Sequence, residues 1–264
     1  MPDHAWALLL IGIAAGLLSG MFGIGGGAVM VPALTVIIGF ELQQAIGTSL
    51  AVMIGPVSIF AVLAYYRAGY IRFIPAGLIA LGLVMGSVGG AEIALSLPGE
   101  TLQRIYGAFL IYTGWRFVEP RKWLAARRGV VTPAPDAVES ETSMSDAWYV
   151  VLGVGLVAGV ASGLFGIGGG LVIVPALIGL LHYDHKRAVA TSLVALLPPV
   201  SIGAVITFYE AGKIDIMTSL LVAVGLVMGA FSGARVALGL PSALVKRYYG
   251  IFLIVISMRF IFQF

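Results

Sequence analysis

Two glycine clusters are the parts of this chain with the clearest potential for chemistry. Residues 23–27 read Gly-Ile-Gly-Gly-Gly, residues 166–170 repeat them, and an apolar run follows each cluster. A helix that begins after such a cluster has unpaired N–H groups at its positive end, which attracts anions. Glycine also lets a ligand come close to the backbone. The glycines that we predict to bind an anion are Gly23, Gly25, Gly26, Gly27, Gly166, Gly168, Gly169 and Gly170. An alternative stays open, in which these glycines only permit a turn or close helix packing.

Hydroxyl side chains near both clusters could add hydrogen-bond donors to an anion site. These donors are uncharged, so they hold an anion without the cost of burying a lysine. The predicted ligands of this kind are Ser19, Thr48, Ser49, Ser58, Ser162, Thr191, Ser192 and Ser201. The alternative is that they cap helices or bond to backbone carbonyls. For Thr48 and Thr191, which lie near predicted helix starts, helix capping and anion binding are equally supported.

The two clusters belong to one long internal repeat. Ser19 and Ser162 lie at equivalent positions in the two copies, which are 143 residues apart, and the register holds without a gap to the chain end. A Thr-Ser-Leu tripeptide and a Pro-Val-Ser-Ile tetrapeptide recur at the same offset. A binding site at the interface of two such repeats is typical of secondary transporters.

The composition of the chain indicates a membrane protein. Of the 264 residues, 60% are hydrophobic and 10% are charged, and the mean hydropathy is +1.06. A soluble domain carries about 25% charged residues. The apolar runs are continuous rather than alternating, so we predict an all-α polytopic membrane protein in which helices pair their own backbone groups. The N-terminal run follows Asp3 rather than basic residues, and we interpret it as a retained helix and not a signal peptide.

Each repeat divides into five apolar segments. The first repeat has residues 5–22, 28–39, 45–66, 73–97 and 104–118, and the second has 147–165, 171–181, 188–209, 216–240 and 248–262. The glycine cluster turns the first two segments of each repeat into a hairpin whose second arm is short for a complete span. About 8–10 membrane segments are therefore predicted, because the short arms either cross the bilayer or re-enter. The predicted kinks are at Pro32, Pro56, Pro175 and Pro199. The predicted domains are residues 1–118, a flexible cytoplasmic linker at 119–146, and residues 147–264.

An odd number of crossings in each repeat would place the two repeats in opposite orientations. The charges of matched loops agree with this, because Arg67 and Arg72 are replaced by Glu210 and Asp215. Cytoplasmic loops are rich in lysine and arginine, so we predict inverted-topology repeats with both termini outside. The alternative has one long broken helix in place of each hairpin, parallel repeats and both termini inside.

Few charged or catalytic side chains interrupt the apolar segments. Glu92 and Arg235 are equivalent, as are Arg116 and Arg259. An ionisable residue inside a membrane is a candidate functional group, but these four lie near segment ends, where side chains reach the interface. The chain has no cysteine, and its three histidines lie outside the apolar segments. We therefore predict no enzymatic activity, no metal and no cofactor, and the lack of a basic aromatic patch argues against nucleic-acid binding.

The doubled motif Ser-Gly-x-Phe-Gly-Ile-Gly-Gly-Gly, followed each time by Val-Pro-Ala-Leu and Thr-Ser-Leu, resembles the sulfite exporter TauE/SafE family of membrane permeases. The resemblance covers nearly the whole chain outside the linker. It implies a membrane transporter of small anions, often sulfur compounds such as sulfite, sulfoacetate and other sulfonates. The residues themselves indicate only a small anion held by uncharged donors in two symmetric half-sites.

These observations together predict a secondary transporter of a small anion, a sulfur-containing oxyanion or an organosulfonate. Alternating access would operate around a site between the two glycine clusters. The expected partners are the anionic substrate, the lipid bilayer and a coupling proton, and homo-oligomerisation stays open. We expect a multi-pass location in a cell membrane of the bacterial inner-membrane type. A passive anion channel and a membrane scaffold that transports nothing are the alternatives.

Overall fold

The fold is helical throughout the part of the chain that the structure describes. A computed structural model describes residues 5–55, 58–118, 148–239 and 243–262, and these residues form twelve α-helices. The helices of the first repeat are α1 (Ala5–Phe22), α2 (Gly27–Ala33), α3 (Leu42–Val52), α4 (Ile59–Arg67), α5 (Phe73–Ser96) and α6 (Gly99–Val118). Those of the second are α7 (Trp148–Phe165), α8 (Gly170–Leu181), α9 (His185–Ala195), α10 (Ile202–Glu210), α11 (Ile216–Gly239) and α12 (Ala243–Phe262). A π-helical turn, Leu34–Ile38, continues α2.

Four of these helices are long and apolar enough to cross a membrane. They are α1, α5, α7 and the Ile216–Val236 part of α11, with 18 to 24 residues each. At 1.5 Å per residue these lengths are roughly 27–36 Å, about the thickness of a hydrocarbon core. In α5 the large apolar side chains Leu81 and Met85 are exposed, while Gly82 and Gly86 are buried. Small residues inside and large apolar residues outside are typical of a helix that packs in lipid.

Most predicted segments agree with the helices, but the third segment of each repeat does not. Residues 45–66 were expected to form one apolar segment, and they belong to α3 and α4 with an interruption between them. Residues 188–209 divide in the same way into α9 and α10. Pro199 lies in the second interruption, where its missing N–H and fixed ring end the helix. Pro56 lies outside the described residues, as does the linker at 119–146. Pro32 and Pro175 lie inside α2 and α8.

Helix α1 packs against α11 through glycines on both helices. The glycines of α1 that face α11 are Gly12, Gly16 and Gly20, and those of α11 that face α1 are Gly225, Gly229 and Gly233. A β-carbon added to Gly16 would overlap the carbonyl oxygen of Leu226, so the two backbones are in direct contact. Gly12 faces Val222 and Gly20 faces Ala230, which means that the two helices run in the same direction.

Helices α5 and α7 form the equivalent pair. Their facing glycines are Gly82, Gly86 and Gly90 of α5 and Gly155, Gly159 and Gly163 of α7. Each of these lies 143 residues from a glycine of the α1–α11 pair. The first helix of each repeat therefore packs against the fifth helix of the other repeat, and the two halves are interlocked. Three glycines at four-residue spacing are a known signal for close helix packing, and this signal was available in the sequence.

The helices group into two compact units that cut across the two repeats. One unit comprises Met1–Leu97 with Glu141–Gly239 and contains both glycine clusters. The other comprises Pro98–Ser140 with Leu240–Phe264, and its described helices are α6 and α12. Within this second unit the rings of Tyr106 and Phe260 meet edge to face with their centroids 5.1 Å apart.

Candidate anion site at the two glycine breaks

The two glycine clusters interrupt the helices as predicted, and they contact each other. Residues 23–26 separate α1 from α2, residues 166–169 separate α7 from α8, and all are buried. A β-carbon added to Gly27 would overlap the carbonyl oxygen of Gly166, and one added to Gly170 would overlap that of Gly23. We call these segments the first break (23–27) and the second break (166–170). Two segments that are 143 residues apart in the sequence are thus in contact in the core.

The breaks have a backbone conformation that favours glycine. Gly23, Gly25 and Gly26 have φ values of +68°, +78° and +83°. Their counterparts are Gly166, Gly168 and Gly169, with +67°, +72° and +82°. Side chains of L-residues rarely adopt such angles. In an αR–αL or turn conformation, successive backbone N–H groups form a concave donor surface that suits an anion.

Several N–H groups of the breaks have no hydrogen-bond acceptor among the described residues. They include the N–H groups of Ile24, Gly25, Gly26, Ile167, Gly168 and Gly169. The preceding N–H groups are satisfied: Gly23 donates to the carbonyl of Ser19, and Gly166 to that of Ser162, both at 2.7 Å. Buried N–H groups without partners are rare and costly in proteins. Six of them in two adjoining rows are therefore available to hold an acceptor such as an oxyanion.

Ser49 and Ser192 connect each break to the opposite repeat. The Ser49 hydroxyl shares its proton between the carbonyl of Gly166 and that of Ile46 in its own helix, both at 2.8 Å, and the Ser192 hydroxyl donates to the carbonyl of Gly23 at 2.9 Å. Both side chains are completely buried. Each hydroxyl has a single proton, so in this arrangement the two serines brace the breaks and have no proton left for an anion.

Ser58 and Ser201 also reach across the repeats, farther along the chain. Ser58 donates to the carbonyl of Leu193 in α9 at 3.4 Å, and Ser201 donates to that of Leu50 in α3 at 3.3 Å. These acceptors lie in the last turns of their helices, and the Leu50 carbonyl also accepts the N–H of Met53 at 3.1 Å. The expectation of bonding to backbone carbonyls is confirmed for this pair.

The expectation that Thr48 and Thr191 lie near helix starts was wrong. Thr48 is six residues inside α3, and its hydroxyl accepts the N–H of Asp215 at 3.1 Å, just before α11. Thr191 lies equally deep in α9, is fully buried, and its hydroxyl has no partner among the described residues. Both helices begin before the apolar runs do: α3 begins directly after Glu41, and α9 directly after Asp184. Only Asp184 accepts the N–H groups that a capping side chain should, from Lys186 and Arg187.

Met53 and Leu196 are among the apolar side chains beside the breaks, and nothing in the sequence indicated their position. The Sδ atom of Met53 would lie 2.7 Å from a β-carbon added to Gly168, and its Cε atom 2.6 Å from one added to Gly25. Leu196 lies 3.4 Å from the same point at Gly25. Met53 and Leu196 follow α3 and α9 at equivalent positions. Apolar residues in an apolar sequence give no chemical signal, so only the structure associates them with the site.

The charged residues within the apolar segments do not contribute to the core. Glu92, Arg116, Arg235 and Arg259 are all exposed. The guanidinium of Arg235 lies over the ring of Phe231, 4.2 Å from its centroid, as expected for a side chain that extends along an apolar surface. Among the described residues, no group of three or more histidine, cysteine, aspartate or glutamate side chains could hold a metal ion.

Known proteins are similar to the chain over nearly its whole length. The sequence profile of the family described as sulfite exporter TauE/SafE matches residues 8–260. A probable membrane transporter protein of Methanocaldococcus jannaschii is 28% identical over 245 residues, which are 87% of this chain and 85% of that protein. The probable membrane transporter protein YunE of Bacillus subtilis is 29% identical over 272 residues, which are 97% of each chain. No solved structure matches the chain significantly.

The family profile includes both glycine breaks and the helices that surround them. The resemblance expected from the doubled motif is thereby confirmed. The relatives are named as membrane transporters, and the chain has four helices that are apolar and long enough to span a bilayer. This protein is a membrane transporter that belongs to the sulfite exporter TauE/SafE family.

Proposed function

We propose that the protein transports a small anion, a sulfur oxyanion or an organosulfonate, across the cell membrane by alternating access, and that the anion binds between the two breaks. The observation that carries this proposal is that at least three buried N–H groups in each break have no acceptor among the described residues. Oxygen atoms of a sulfite or sulfonate group are suitable acceptors for such donors. The sulfur chemistry is taken from the family to which the chain belongs.

Neutral donors suit a carrier that must release its substrate. The starts of α2 and α8 add the positive ends of two helices to the N–H groups. In a site without water these dipoles act more strongly than at a protein surface. No lysine or arginine is buried among the described residues, so the anion would not be held by a full opposite charge. Binding would then be reversible, as transport requires.

The contacts at one end of the first unit support inverted repeats. Glu41, just before α3, accepts a hydrogen bond from Lys213, just before α11, at 2.7 Å. Gln43, at the start of α3, donates to the carbonyl of Ala94, near the end of α5, at 3.0 Å. The start of α11 and the end of α5 therefore meet at the start of α3. Since α5 and α11 are equivalent helices, opposite directions for them mean opposite orientations for the two repeats.

The distribution of charge supports a cytoplasmic position for the other end. The ammonium of Lys186 lies 5.6 Å from the centroid of the Tyr70 ring, which brings the loop before α9 to the loop before α5. These loops and the helix ends beside them carry Arg67, Arg72, Lys186 and Arg187. At the opposite end Lys213 holds the pKa of Glu41 below its ordinary value through their hydrogen bond, and the nearby residues Glu210 and Asp215 are acidic. Basic loops face the cytoplasm, so α7 would start inside and α1 outside, in a multi-pass protein.

The direct test is binding and flux with purified protein. Sulfite, thiosulfate and sulfoacetate would be titrated by thermal shift in detergent, with taurine as a zwitterionic comparison. Radiolabelled flux would then be measured in proteoliposomes with and without an imposed proton gradient. Uphill, saturable flux supports a transporter, whereas flux that only follows the anion's own gradient would make the protein a channel. An absence of binding and flux with every anion would refute anion transport and leave the scaffold.

Substitutions in the breaks test the location of the site. We expect Gly26→Val and Gly169→Val each to abolish anion binding, because φ is +83° and +82° and a β-carbon at either residue comes 2.7 Å from a leucine methyl group. Gly39→Val is the matched control: its φ is +84°, but nothing lies within 4 Å of an added β-carbon. Affinity is measured on monodisperse protein only. Normal affinity in both folded break variants would show that the anion binds elsewhere.

A further inference from the structure

One methionine closes the gap between the two breaks. The thioether end of Met53 is in contact with Gly25 in the first break and with Gly168 in the second. Its side chain is only 6% exposed. The N–H groups of Gly25 and Gly168 have no acceptor among the described residues. A bound oxyanion and the Met53 side chain would therefore compete for the same space.

Met53 is also a point where the repeat symmetry of the site fails. The equivalent residue is Leu196, which lies 3.4 Å from a β-carbon added to Gly25, whereas the Cε atom of Met53 lies 2.6 Å from it. Methionine is unbranched and has three rotatable side-chain bonds, whereas leucine is branched and stiffer. Met53 lies after the last residue of α3, in a turn where its N–H donates to the carbonyl of Leu50 at 3.1 Å. A side chain in this position can withdraw without a break in a helix.

We propose that Met53 is the plug of the anion site: its side chain blocks the N–H groups of both breaks when the site is empty and must withdraw before an anion can bind. The proposal rests on the proposed function, since it assumes that the anion binds at the breaks. It makes Met53 a residue that controls access and apparent affinity, although it contributes no polar contact. The apparent affinity is lowered by the fraction of time in which the plug is closed.

The first test removes the plug. If Met53 is withdrawn about a tenth of the time, Met53→Ala should bind sulfoacetate about tenfold more tightly than the wild type. Met53→Leu keeps the gap filled and should not bind more tightly. Leu196→Ala should change the dissociation constant less than threefold, roughly, because Leu196 lies farther than Met53 from a β-carbon added to Gly25. Met85→Ala is the control for a methionine outside the site, since Met85 is 62% exposed on α5.

The second test uses the wild-type protein and needs no substitution. Hydrogen peroxide converts an accessible thioether to a sulfoxide, with the peroxide reduced to water, and mass spectrometry reports the rate at each methionine. Without an anion, Met53 should react more slowly than the exposed Met85 but faster than Met30, which is fully buried. Saturating sulfoacetate should raise the rate at Met53 several-fold and leave Met30 and Met85 unchanged. A purely structural role for Met53 predicts no change.

The outcomes separate the plug from the site. If Met53→Ala binds like the wild type and oxidation of Met53 does not respond to sulfoacetate, while Gly26→Val still abolishes binding, the plug is refuted and the site stands. If Met53→Ala does not fold, the oxidation rates in the wild type decide alone. If the wild type binds sulfoacetate and both break variants bind it equally well, the site between the breaks is refuted, and the plug with it.

Discussion

A single methyl group at two glycines of α5 should have opposite effects on stability. Gly86 and Gly89 are three residues apart in the same helix. A β-carbon added to Gly86 would overlap the carbonyl oxygen of Leu156 in α7 and lie 2.8 Å from the amide nitrogen of Val160. One added to Gly89 has nothing within 4 Å. Comparison of Gly86→Ala with Gly89→Ala therefore separates the effect of α5–α7 packing on stability from the effect of helix propensity, which is the same in both variants.

The expected difference follows from two terms. Alanine in place of glycine stabilises a helix by about 0.5–1 kcal/mol, and both variants gain this amount. At Gly86 the neighbouring atoms are backbone and cannot rotate away, so α5 and α7 must separate, and overpacking of this kind costs about 1–3 kcal/mol. Gly86→Ala should thus be less stable than Gly89→Ala by about 1–3 kcal/mol. At about 2–4 °C per kcal/mol, the midpoints of thermal unfolding should differ by several degrees.

The assay is thermal unfolding of the purified wild type, Gly86→Ala and Gly89→Ala in one detergent. Unfolding is monitored as the loss of monodisperse protein on size exclusion. Gly229→Ala, the equivalent of Gly86→Ala in the second repeat, should reproduce its effect, because Gly229 faces α1 as Gly86 faces α7. If Gly86→Ala and Gly89→Ala unfold at the same temperature, the close contact of α5 with α7 is wrong.

Two further predictions concern the braces and the topology. Ser49→Ala and Ser192→Ala should each destabilise the protein by about 1–3 kcal/mol, since a buried carbonyl of the opposite break loses its donor. The anion affinity of the folded variants should stay within threefold, roughly, of the wild-type value. A large loss of affinity without a loss of stability would show that these serines bind the anion. The chain has no cysteine, so Arg67→Cys and Glu210→Cys, at equivalent positions, can be labelled alone with a membrane-impermeant thiol reagent in intact cells. Only Glu210→Cys should react, and labelling of both would favour parallel repeats.

The helical class and the first helix of each repeat could be predicted because they depend on residues that are close together in the sequence. Continuous apolar runs require helices in lipid, and the glycine clusters disfavour a helix through their own conformational freedom. The interruption between α9 and α10 was not predicted as a gap, because hydropathy is equally high on both sides of Pro199. Proline only permits a kink or an end, and the surrounding packing decides which of them forms.

The candidate site was predictable only in its backbone. The glycines identified the breaks, but the partners of the serines are distant: Ser49 and Gly166 are 117 residues apart, and Ser192 and Gly23 are 169 apart. From the sequence, the hydroxyl groups of Ser49 and Ser192 were predicted to bind the anion. In the structure they donate to backbone carbonyls instead. Met53 shows the opposite case, a side chain without polar atoms that becomes important only through its location.

The pairing of α1 with α11 determines when this protein can complete its structure during synthesis. Gly20 and its neighbour Ala230 are 210 residues apart, and at about 5–20 residues per second the ribosome needs about 10–40 s to make the chain between them. During that interval the glycines of α1 lack the helix that covers them in the complete structure. A premature stop in α10 would leave the first repeat complete in sequence but without the helix that α1 requires, and such a product should be a substrate for membrane quality-control proteases rather than half a transporter.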